Sequence, residues 1–227
     1  MNIKMSIKIE ELKKLPVEEL SRKFKCLPEE ICLGDYDARF TEDKECPYKV
    51  IMGHANFEGS HVTSLGKLEV VYGKRLQDGA GELHDIDGNP VYLGINLADS
   101  KITSLGNLEK VYGSITLNEN IKSLGKVKYL GSNLFLGSTR LLDLGEHEIV
   151  EGMHNFERTQ IQTLGKLKKV GKLRIGSTSL RNLGDLERVN KIIVAVQPRY
   201  RIDNMINQKL VYENGKYVKI KEEIKEQ

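Results

Sequence analysis

The chain has 227 residues, 39% apolar and 30% charged, and its 35 basic against 32 acidic side chains leave a formal net charge of +3. So even a mixture argues against a dedicated nucleic-acid binder, which would gather basic charge on one face, and the modest apolar content without tryptophan suits a thin elongated domain better than a globular enzyme. No apolar run is long enough for a signal peptide or a bilayer span, and Cys26, Cys32 and Cys46 form an odd set that reads as reduced thiols of a cytoplasmic protein.

In chain order, residues 1–33 read as a helical opening that caps the repeats downstream of it. IEELKKL suits a short amphipathic helix, Pro16 interrupts it, and VEELSRKF resumes with Val17, Leu20 and Phe24 on the apolar side. PEEI then has proline in its first turn and acids behind it. Residues 34–60 begin polar and turn-rich. Within them KVIMGHANFEGS matches, in degenerate form, a phrase used again downstream, with Ile51, Gly53 and Phe57 in the places of Val111, Gly113 and Leu117. HVTSLGKLEVVYG, with Leu65, states it more openly. Between Gly73 and Leu93 the phrase is broken, and the glycines and the DIDGN step predict an excursion over 77–93, with register restored at Ile95, Leu97 and Ser100.

From Lys101 to Val196 the phrase is written five times, with Leu105, Leu124, Leu144, Leu164 and Leu183 opening an LG step every 19 or 20 residues. A constant period of this size marks a solenoid. The consensus LxxLGxLxxVxGxLxLxxT has two textures. Its LxL part alternates as a strand with one buried face, using pairs such as Ile115 and Leu117, Leu134 and Leu136, and Leu173 and Ile175. Its LGxLxxV part spaces apolar residues by three, as at Leu105, Leu108 and Val111, which predicts an extended or 3₁₀ return. With the degenerate copies the count is about eight coils, a sheet roughly 35–40 Å long at strand spacing. After Val196, QPRYRIDNMINQKL predicts a turn and short helix, and LVYENGKYVKI a hairpin about Asn214 and Gly215.

The runs LFLGSTRLLDLG and GKLRIGSTSLRNLG resemble the leucine-rich repeat pattern LxLxxNxLxxL, at the short repeat length of bacterial members of that family. The resemblance covers about two-thirds of the chain and implies a fold that is mainly β with some α. The expected fold is a single right-handed leucine-rich-repeat-like solenoid with a parallel β-sheet, a helical N-terminal cap (1–33), a body (34–197) carrying the excursion, and a C-terminal cap of short helix plus β-hairpin with a tail (198–227). The family's ladder asparagine is replaced here by Ser100, Thr139, Thr159 and Thr178, with Asn120 the exception. A hydroxyl donates once where an amide donates twice, which leaves a receptor-L-domain-like β-helix as a neighbouring description.

Catalytic chemistry is thin. Phosphate-loop and nucleophile-elbow motifs are missing, and His147-Glu148-Ile149-Val150-Glu151 lacks the second histidine of a zinc peptidase. His147 and His154 stand in places that are otherwise aliphatic. The bland expectation is a bulged coil whose imidazoles reach solvent or a backbone carbonyl, and the sharper one is a metal or pH-sensing role. Asp85, Asp87 and Asn89 faintly resemble a calcium loop but read as a hairpin turn. No cofactor and no metal is expected.

What remains is surface. The residue between the two inward positions of LxL faces out, and stacking aligns Asn56, Asn96, Thr116, Phe135, Asn155, Arg174 and Ile193 into a stripe. Apolar and arginine anchors among polar groups suit a protein interface. The expectation is a non-catalytic protein-binding solenoid, monomeric or weakly self-associating, that binds or inhibits a partner protein through this stripe or the 77–93 excursion. Resemblance adds a bacterial or phage setting, without the large catalytic domain that ubiquitin-ligase members carry after their repeats. A carbohydrate-binding or adhesive module and a self-associating structural solenoid are the alternatives.

Overall fold

The computed structural model describes residues 11–75, 77–78, 81–82, 92–136, 141–156, 159–175, 179–194, 206, 210–213 and 216–219. The chain winds into a parallel β-solenoid of about 7 turns. The valine step of the phrase builds one face. Ile31–Cys32, Val50–Ile51, Val70–Val71, Lys110–Val111 and Tyr129–Leu130 lie parallel, and the series runs on into the leading halves of Ile149–Asn155, Lys169–Ile175 and Arg188–Val194. The LxL part builds a second face from Tyr36–Asp37, Ala55–Asn56, Tyr92–Asn96, Ser114–Thr116 and Leu134–Phe135, continued by the trailing halves of the same three long strands. Parallel bridges, Glu45 with Ser64, Ser123 with Asp143 and Thr163 with Asn182, mark a third side.

The three-residue spacing predicts one strand and an irregular return per coil, whereas each coil lays strand on two faces, as two short strands in the earlier coils and as one long strand in the last three. Val111, Val150 and Val170 belong to strands of the first face, where β-branched residues pack well. Where that face is only two residues long, alternation has no length in which to declare itself, so the spacing of the preceding leucines dominates the pattern. The faces meet at a corner where a Cβ on Gly113 or Gly171 would lie against the backbone of the preceding coil, at Leu93 or Glu151. The leucine seam runs as expected: Leu105, Leu124, Leu144, Leu164 and Leu183 are buried in one continuous core.

The LG step is a tight turn, and its sequence logic lies one residue upstream of the leucine. Gly66, Gly106, Gly125, Gly145, Gly165 and Gly184 have φ between +52° and +57°, a conformation glycine adopts without steric cost. Ser64, Ser104, Ser123, Asp143, Thr163 and Asn182 each accept the backbone N–H of the glycine two residues on, at 2.8–3.1 Å. Short polar side chains are suited to such local turn bonds.

At the N-terminus the helix Val17–Phe24 covers the solenoid laterally. Its buried Leu20 packs with Ile31, Val50, Met52 and Tyr72, on the outer side of the first face. Those outward positions are apolar in the opening turns and become Lys110 and Lys169 further on, so the helix lies where the sheet is greasy on both sides. PEEI contains the expected turn, a 3₁₀ segment at Pro28–Glu30. The excursion is anchored by Lys74–Arg75 pairing antiparallel with Tyr92 and Leu93, and Gln77–Asp78 forms a small hairpin with Gly81–Glu82. The DIDGN step lies outside the described residues, and register returns at buried Ile95, Leu97 and Ser100. At the C-terminus, Leu210–Glu213 and Lys216–Lys219 form the expected hairpin, whose second strand pairs antiparallel with Arg188 and Val189. Ile206 is helical and buried, and the rest of the expected short helix lies outside the described residues.

Candidate partner-binding face

The pairing register of the second face tests the alignment of the stripe residue by residue. Asn56 pairs with Asn96, Asn96 with Thr116 and Thr116 with Phe135. Leu134 pairs with His154, which places Asn155 next in line, and Asn155 pairs with Arg174 and Arg174 with Ile193. The seven residues therefore lie in one file across the sheet. Phe135 is the exposed apolar member, with 43% of its surface in solvent, while the others are half-buried.

The polar members are partly engaged at home. Asn56 accepts the N–H of Glu58 at 3.2 Å, and Asn96 accepts that of Ala98 at 3.1 Å while donating to the Glu58 carboxylate at 2.9 Å. Asn155 and Arg174 also interact within the chain. The asparagines thus hold the bend after each strand, and what they offer a partner is a fixed shape more than free amides. Beside them lies a hollow of about 410 Å³ lined by Arg39, His54, Asn56, Glu58, Asn96 and Phe135 among others.

Sequence reasoning missed the start of this file. Asp37 pairs with Asn56, and its carboxylate holds the Arg39 guanidinium at 2.6 Å; that bond keeps Asp37 below the usual carboxylate range. The guanidinium also lies 5.5 Å over the exposed Phe40 ring. Counting one period back from Asn56 would have found Asp37, but GDYDARF carries too few apolar residues to display the phrase. His54 was missed as well. Its Nδ1 lies 3.0 Å from the Gly94 carbonyl, and burial lowers its proton affinity.

The other candidates resolve differently. His147 and His154 do not reach solvent: both are fully buried, with rings stacked at 5.0 Å, and only His147 meets a backbone carbonyl, that of Val127 at 3.0 Å. The sequence cannot show this, because a bulge and an inward imidazole look the same in a repeat alignment. Of the ladder residues, Ser100 and Thr159 are buried, whereas Asn120 is exposed and Asn118 takes the inward place. The turn at 119–120 carries the second asparagine out to the surface. Thr139, Thr178 and the Asp85, Asp87 and Asn89 cluster lie outside the described residues. Glu148 faces outward to Lys168 at 3.0 Å and is no partner for His147. The three cysteines are free thiols, and burial keeps them protonated, pushing Cys46 up to about 11.

Fold and face together define the class as a parallel β-solenoid repeat protein. No protein-family model matches the chain, and neither a curated protein nor a solved structure does.

Proposed function

We propose that the protein is a non-catalytic binding solenoid of the short leucine-rich-repeat type that recognises another protein through its second face. The observation that carries this reading is the file from Asn56 to Ile193, in which an exposed phenylalanine stands one coil from Asn155 and two from Arg174 among polar groups fixed by their own turns. Rigid anchors of this kind lose little conformational freedom on docking, which favours affinity. The inward orientation of His147 and His154 supports a non-catalytic role, since the nearest thing to a metallopeptidase motif holds its histidine away from any substrate. The repeat length is that of bacterial leucine-rich repeat proteins, so a bacterial or phage protein acting in the cytoplasm on a partner enzyme or host factor is the setting proposed. Three protonated thiols are compatible with a reducing compartment.

The test is affinity capture with the wild type and with Phe135→Asp combined with Arg174→Glu, followed by reconstitution of any complex from purified components. A specific partner retained by the wild type and weakened about a hundredfold or more by the double change supports the reading. If every specific partner stays bound, the face is the wrong one. The alternative, carbohydrate binding, is favoured by one observation: the hollow places Phe135 beside Asn56, Glu58 and Asn96. Glycan-array binding that Phe135→Asp abolishes, with no protein captured, would promote it.

A further inference from the structure

The core of this solenoid is apolar, and the coil at 141–156 breaks that rule twice. The places corresponding to His147 hold Leu68, Leu108, Val127, Leu167 and Leu186, all fully buried. Those in register with His154 hold Ala55, Ile95, Ile115, Leu134 and Leu173. The two imidazoles stack within 16° of parallel, and the edge of Phe156 closes over His154 at 5.1 Å. Among the described residues, Nε2 of His147 and both ring nitrogens of His154 have no hydrogen-bond partner. Leaving such groups unpaired in an apolar core is costly, and a leucine pair would serve packing alone better.

We propose that His147 and His154 form an acid-sensitive lock: neutral, they hold the coil at 141–156 in the stack, and protonation opens that coil and parts the turns before it from those after it. Among the described residues, no carboxylate is placed to stabilise an imidazolium inside. On the preceding coil Lys128 and Tyr129 have solvent access, and Tyr129 packs outside against Tyr112. On their own coil Glu148 and Glu151 lie at the surface. On the next coil Lys168, Lys169, Lys172 and Arg174 also reach solvent, and all carry the wrong charge. A proton on either ring would therefore stand unpaired beside the other ring. The same coil is irregular, since its pairing with the next strand slips between Val150 and Met153, as the pairing of Ser114–Thr116 with Tyr92–Asn96 slips further upstream. A solenoid coil contacts only its neighbours, so opening can stay local.

The direction comes from linkage. Burial, opposed by the Val127 carbonyl, pushes His147 down to about 4, and burial together with His147 outweighs the nearby Met153 backbone and holds His154 well below its ordinary range. In an opened coil both return to about 6.5. The closed form thus keeps its full advantage above about pH 6.5 and loses it as the pH falls towards 4. Between about pH 7 and pH 5, His147 alone raises the opening constant about twentyfold.

Hydrogen exchange resolved by peptide, corrected for intrinsic rate, tests this on the full chain. Peptides from 141–156 are expected to lose protection about twentyfold or more across that interval, while 105–130 change little. In His147→Leu with His154→Leu, which restores the residue type of the other coils, the loss should disappear. Equal loss in wild type and variant, or flat protection in the wild type, overturns the lock. If the variant does not fold, histidine proton resonances of the wild type decide instead. Two rings that titrate near 6.5 in the closed protein would refute it, and two silent until the coil opens would uphold it.

Discussion

Asn118 carries more of the interior's polar accounting than its surroundings suggest. Its amide donates to the carbonyls of Ser100 and Ile102 at 3.1 and 2.8 Å, and its oxygen accepts the N–H groups of Asn120 and Ile121 at 2.8 and 3.2 Å. One side chain thus satisfies backbone groups on two successive coils. Replacing it with alanine strands several buried groups and is expected to cost about 2–4 kcal/mol in urea denaturation. Asn120→Ala, at an exposed turn, should stay within about 0.5 kcal/mol. The composition NEN was legible as the end of a strand. Which asparagine turned inward was not, because the choice depends on how the chain bends after Leu117. The histidine pair is the same problem with larger consequences: the period aligns both residues with inward sites but favours a bulge that would carry them to solvent, and their burial and mutual stacking arise only when the coil closes.

At the scale of one coil, the two glycines do different work. The LG glycine supplies a left-handed turn, and the corner glycine supplies clearance for the coil before. Some LG glycines supply clearance as well as the turn, and that separates two substitutions of the same kind. At Gly125 (φ +56°) an added Cβ meets nothing within 4 Å, so Gly125→Ala should cost only the conformational penalty, about 1–2 kcal/mol. At Gly145 (φ +54°) the Cβ would strike the backbone of Gly125, so Gly145→Ala should cost at least about 1 kcal/mol more in thermal or urea unfolding. Both glycines were visible as punctuation in the repeat, and so were the Ser, Thr, Asp and Asn residues two places before. Their shared task was not read from the sequence, since four residue types at one position look like variation until each is seen accepting the same N–H.

For the molecule as a whole, stability is a chain of nearest-neighbour terms with two ends to manage. The hairpin Leu210–Glu213 with Lys216–Lys219 covers the final strand of the first face through Arg188 and Val189 and brings Leu210 into the core. Deleting residues 207–227 bares that strand edge, and light scattering should then show mass rising with concentration, whereas the full chain shows less of it. The N-terminal helix instead covers the opening turns from the side, a placement that the sequence concealed. An amphipathic segment declares that it will cover something, but only assembled coils place Val50, Met52 and Tyr72 together on the outside of the first face. The division has one physical cause. Periodicity, turn chemistry and the inward or outward sense of each strand residue are local properties that repeat with the chain, so the solenoid, its leucine seam and the file from Asn56 to Ile193 could be read from residue spacing. Where the chain must meet itself at a distance, in the valine-step face of the sheet, the lateral helix, the Asp37 and Arg39 start of the file and the stacked imidazoles, only packing in three dimensions chose among arrangements that the local pattern left equivalent.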